Sequence, residues 1–182
     1  MGRFFALFVA FHYFLLAGRQ NVAFTSRYGW GAILKNVIAI SLVGFTWLEE
    51  AVVGKNQLVL EKMAWRKSRL FLPALFAFWF PIDIGSFRPN FHLGGFFGNF
   101  AGFTFCVMTP LYLLVLLLSY PWVNVVTMRV VSLVGLIIGS YNLFLNFFLD
   151  LERLWWKGIV HLPLFFFSLY AFLLSLKVVE KR

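Results

Sequence analysis

Three side chains of this 182-residue chain could between them make or break an acyl bond: Cys106, Arg153 and His161. A thiol becomes a good nucleophile when a base or a cation stands beside it, and an imidazole can take its proton and return it to a leaving group. A guanidinium can hold an oxyanion or a substrate carboxylate. These types fit intramembrane acyl transfer or peptide cleavage. Two of them also have a plainer reading, Cys106 as a small packing residue and His161 as an interfacial histidine. Cys106 is the single cysteine, so no internal disulfide and no cysteine-based metal site can form. No nucleotide-binding or zinc-protease signature is present, and neither a cofactor nor a metal is expected.

A second set lies on what reads as one helix. Ser132, Gly135, Gly139, Asn142, Asn146, Asp150, Arg153 and Lys157 follow one another at intervals of three or four, which predicts one continuous stripe of small and polar groups. Amides facing hydrocarbon are costly, so this face should meet another helix or a wet cavity. As packing, Gly135-x-x-x-Gly139 allows close approach and the asparagines bond across the contact. As a cavity wall, Asn142 and Asn146 would line a route for a ligand or solute. Gly94, Gly98 and Gly102 repeat every four residues and are either a packing face or the turns of a loop. Pro89 and Gly94-Gly95 favour a loop or re-entrant segment over 90–103, which puts Cys106 at the end of a helix.

From Cys106 to Leu176 the order is a cysteine, a helix ending near Tyr120-Pro121, a basic turn at Arg129, an asparagine-bearing helix, and His161 opening the last helix. This order resembles the exosortase and archaeosortase family, membrane cysteine transpeptidases that process C-terminal sorting signals. The resemblance implies Cys106 as nucleophile and His161 as the third catalytic position. Two positions depart from it. Met108 stands where the family has glycine two residues after its cysteine, and Leu145 or Leu149 where it has arginine three residues after the helix-five asparagine. Arg153 would then substitute from further along. Glu49-Glu50 with His92 and His161 is similar, in type alone, to the diglutamate and histidines of CAAX-type intramembrane proteases, but the expected topology puts acids and histidines on opposite sides. The differing depths of His12, His92 and His161 disfavour a bis-histidine haem.

Helices in a bilayer must position these residues. Of the chain, 62% is hydrophobic and 13% charged, against about 25% charged in ordinary globular domains, and a small soluble fold has too much surface to hide such a sequence. The expectation is an all-α, polytopic integral membrane helix bundle of about six transmembrane helices, a single membrane domain over 1–182 with no soluble domain. The spans are placed at 4–18, 28–48, 70–82, 104–119, 123–149 and 158–176, with an amphipathic surface helix over 51–66. Trp30, Trp47, Trp79, Trp122, Trp155 and Trp156 fall at the ends of these spans, and Trp65 on the surface helix, as indole favours the headgroup region. Lys and Arg divide ten to six in favour of the side holding both termini, which predicts cytoplasmic termini and a plasma-membrane protein.

The net charge of +9 flanks apolar runs, so it reads as contact with anionic headgroups rather than with nucleic acid. The lipid bilayer is the expected partner, with other membrane subunits beside it. Two functional readings follow. One is a non-enzymatic subunit of a membrane complex, or a small-solute binding or transport component. The other is a membrane-embedded cysteine transpeptidase or protease.

Overall fold

The computed structural model describes residues 2–27, 29–58, 69–83, 85–94 and 101–177. Among these residues six helices and one hairpin carry the fold: α1 (Gly2–Asn21), β1 (Val22–Thr25), β2 (Gly29–Ala32), α2 (Leu34–Val53), α3 (Phe71–Trp79), α4 (Phe105–Ser119), α5 (Val125–Phe144) and α6 (Leu151–Leu176). A π-helical turn over Leu145–Leu149 extends α5. Three helices are long and apolar enough to cross a bilayer: α2, α5 with its π turn, and α6. By contrast α3, with nine residues, rises only about 14 Å, less than half of a hydrocarbon core about 30 Å thick.

The exterior is more apolar than a water-soluble surface should be. On α1, Phe4, Phe8, Phe11 and Leu15 form an exposed stripe, while His12, Tyr13 and Asn21 are buried. This inverted pattern suits lipid, where polar groups gain by turning inward. Helix α4 is the centre, with twelve of its fifteen residues buried. It touches α1, α3, α5 and α6, while α1 lies along α2 and α5 along α6.

Helix ends explain most of the boundaries. Gly54, at φ 70°, closes α2 with its N–H on the Glu50 carbonyl at 2.7 Å, a conformation that favours glycine. Ahead of α2, Gly29 and Gly31 pair as a strand with Thr25 and Ala23, so the helix begins at Leu34 rather than at 28. Running to Val53, it takes the first residues of the expected surface helix, and 54–58 are irregular. Residues 59–66, including Trp65, lie outside the described residues. Trp47 is fully buried against Phe5, ring centroids 5.8 Å apart, and is not an interfacial anchor.

Pro121 stops α4, and Asn124 caps α5 by accepting the Val126 N–H at 3.0 Å. Asp150 likewise accepts the Arg153 N–H at 3.3 Å and starts α6, with Glu152 in its first turn. The connection between α5 and α6 is therefore a single break at Asp150. It shifts the start of the last helix from 158 to 151 and cuts the expected polar stripe in two. Ser132, Gly135, Gly139, Asn142 and Asn146 stay with α5 and its π turn, Asp150 is the cap, and Arg153 and Lys157 belong to α6.

The helix order brings two ends of the bundle together through polar contacts. At one end the buried Glu50 carboxylate accepts the Asn56 backbone N–H and the Asn124 side-chain amide, the latter at 2.6 Å. Arg129, near the start of α5, donates to the Ser175 carbonyl near the end of α6 at 2.8 Å. At the other end Gln20 accepts the Phe105 N–H at 2.9 Å, and Trp156 donates to the Pro81 carbonyl at 2.7 Å. Cys106 and His161 lie at this second end.

Candidate functional site

A cavity of about 260 Å³ opens at the Cys106 end, where α1, α2, α4, α5 and α6 converge. Its polar wall consists of Gln20, Asn36, Thr104, Cys106, Asn142, Lys157 and His161, and Ile40, Phe80, Phe105 and Ile138 complete it. Cys106 is held at the first turn of α4 because the Gln20 side chain accepts the Phe105 N–H, in place of a side-chain cap that Thr104 does not supply.

Cys106 and His161 are both buried, at 7% and 6% exposure. His161 Nδ1 lies 2.6 Å from the Lys157 carbonyl. A carbonyl can only accept, so Nδ1 carries the hydrogen and Nε2 is left as the basic nitrogen of the neutral ring. Asn142 Nδ2 donates to the Ile138 carbonyl at 2.9 Å and approaches the Cys106 sulfur at 3.8 Å. Each group of this set comes from a different helix: thiol from α4, amide from α5, imidazole from α6.

Arg153 is not among them. It lines a neighbouring surface depression with Ser86, Phe87, Arg88, Asp150 and Glu152, its guanidinium 5.8 Å from the Phe87 ring centroid. In that loop Asp83 accepts the backbone N–H and hydroxyl of Ser86 at 2.7 and 2.8 Å, which holds its carboxyl below the usual range. The cation that does reach the cavity is Lys157, one helical turn after Arg153. It lines the cavity with Cys106 and His161, and its ammonium lies 4.8 Å from the Phe87 centroid. The signal for it was the four-residue spacing from Lys157 to His161, which puts both on one helix face once α6 is known to begin at Leu151.

The glycine stripe serves packing. A Cβ on Gly139 would lie 3.3 Å from the Phe165 Cα, and one on Gly135 would meet the Ser168 side chain. Ser132 is buried and bonds the Arg129 carbonyl at 3.1 Å. Asn146 is buried in the π turn with its amide nitrogen unpartnered. Of the second glycine set, Gly94 donates to His92 Nδ1 at 3.1 Å, Gly102 sits in a short 3-10 turn whose carbonyl meets His12, and Gly98 lies outside the described residues.

The diglutamate set does not assemble. Glu49 is exposed and Glu50 is tied into the opposite end of the bundle, while His92 is exposed near the cysteine end. Among the described residues no group of three or more His, Cys, Asp and Glu side chains could hold a metal. Comparison with known proteins gives no match, whether to a family model, a curated sequence or a solved structure.

Proposed function

We propose that this chain is a six-span membrane protein whose Cys106 cavity carries out thiol-based acyl transfer or peptide cleavage, the chemistry that the exosortase and archaeosortase resemblance implies. The observation that supports it most is the convergence of Cys106, Asn142 and His161, with Lys157, on one cavity from three helices. The cycle needs only these groups. Cys106 Sγ attacks a carbonyl as its proton passes to His161 Nε2, and charge moves to the carbonyl oxygen. The Asn142 amide, released from the sulfur, donates to that oxygen. Collapse breaks the C–N or C–O bond, and the leaving group takes the proton from His161. Water or an incoming amine then attacks the thioester and gives a proton to the ring, the C–S bond breaks, and the departing sulfur takes that proton, which restores the thiol and the neutral imidazole. With both termini cytoplasmic, the cavity faces the outer side of the plasma membrane.

The test is an acylation burst. With p-nitrophenyl acetate as a generic acyl donor, the purified chain should release one equivalent of p-nitrophenolate quickly. Cys106→Ala should abolish the burst, and His161→Gln should slow it by about 10²-fold. A burst that survives Cys106→Ala, or that is indifferent to His161→Gln, would defeat the reading.

A second reading, a subunit of a membrane complex or a small-solute component, is favoured by Asn146. Its buried, unpartnered amide lies inside the fold and suits water on an internal wet route, because an unsatisfied polar group is expensive at such depth.

A further inference from the structure

Among the described residues the cavity wall carries one charged side chain, Lys157, and no acidic one. Lys157 is half-buried and lines the cavity with Cys106 and His161, and its ammonium lies 4.8 Å from the ring of Phe87 at the edge of the adjoining depression. An aromatic face attracts an ammonium but leaves its charge in place. The nearest carboxylates in the sequence, Asp150 and Glu152, sit with Arg88 and Arg153 in the adjoining depression. An ammonium without a counter-ion in a partly desolvated site is costly, and the cost is recovered when an anion enters.

The rest of the wall selects the kind of anion. Gln20 and Asn36 present neutral amides to the same cavity as Lys157. Gln20 uses its carbonyl oxygen on the Phe105 N–H, which leaves its amide hydrogens for a ligand. Asn36 uses its amide nitrogen once, on the Asn21 side chain at 3.0 Å, and an amide NH2 has two hydrogens. One ammonium with amide donors beside it matches the single charge and two oxygens of a carboxylate, whereas a phosphate dianion is met by clustered arginines.

We propose that Lys157 forms a carboxylate-binding subsite beside Cys106, so that the favoured substrate carries one negative charge close to the carbonyl under attack. The proposal rests on the acyl-transfer reading of the cavity and names its substrate class. Lys157 is thus a specificity residue.

Two thiol reagents of nearly equal size separate this role from simple activation of the thiol. Iodoacetate carries the carboxylate and iodoacetamide does not. The ratio of their rates at Cys106, referred to the same ratio for a small free thiol, should exceed one by about tenfold. Lys157→Met should bring it down to the free-thiol ratio, and Lys157→Arg should keep most of it. As a check on the unaltered protein, acetate should slow labelling by iodoacetamide and acetamide should not. A ratio indifferent to Lys157→Met, or acetate without effect on the wild type, overturns the carboxylate subsite while leaving the thiol chemistry intact. If Cys106 reacts with neither reagent, the acyl-transfer reading fails and this proposal falls with it.

Discussion

Asn142 shows how much of the chemistry depends on single atoms. Its amide nitrogen is shared between the Ile138 carbonyl at 2.9 Å and the Cys106 sulfur at 3.8 Å. On the proposed acyl-transfer reading it is the oxyanion donor, and it matters only where a carbonyl oxygen becomes charged. Asn142→Ala should therefore slow acylation by p-nitrophenyl acetate by about 10²-fold, while alkylation of Cys106 by iodoacetamide, which forms no oxyanion, changes little. Equal loss in both reactions would make Asn142 a packing residue. At this scale Cys106 and His161 stand out in the sequence by residue type alone; the fold sets Cys106 in the first turn of α4 and His161 well inside α6, and both line one cavity. The sequence was silent on Gln20 and Asn36, which are ordinary polar residues at helix ends until the fold brings them to the same cavity.

Among the elements, the tight junction between α5 and α6 does most to build the site. The run 150–157 carries four charges and two tryptophans and reads as a loop. Yet Asp150 caps a helix, Glu152 favours its first turn, and Trp156 anchors to Pro81. That extra two turns is why Lys157 rather than Arg153 reaches the cavity. The aromatic stretch before α2 misled in the same way, since hydropathy alone does not separate a Gly-rich strand from a helix start. The four-residue spacing of Gly135 and Gly139 puts both on one helix face, and a methyl added at either would meet α6. At Gly139 an added methyl meets the Phe165 Cα at 3.3 Å, and at Gly135 it meets the Ser168 Cβ at 3.3 Å with the Ser168 hydroxyl in closer contact. Gly139→Ala and Gly135→Ala should each cost about 1–3 kcal/mol, as read from thermal unfolding in detergent. No cost at either position would mean that α5 and α6 do not approach closely there.

For the molecule as a whole, composition was decisive about the class of environment and nearly mute about the arrangement. An apolar outside with His12, Tyr13, Ser132, Asn146 and His161 turned inward follows from lipid as solvent. Helix length did not convert into span number, because α3 is short and 59–68 lie outside the described residues. Six spans with cytoplasmic termini predict that reporter tags at residues 90 and 157 mark the same, outer side. Opposite sides would remove that topology and the outward-facing cavity with it.

The claim beneath all of these is that the Cys106 thiol and the His161 ring look into one space that Arg153 does not share. Because the natural chain has one cysteine, a single substitution creates a defined pair for a short bifunctional thiol cross-linker such as dibromobimane. His161→Cys should cross-link to Cys106 within the chain, and Arg153→Cys should not. Efficient cross-linking of Arg153→Cys with none from His161→Cys would contradict the account.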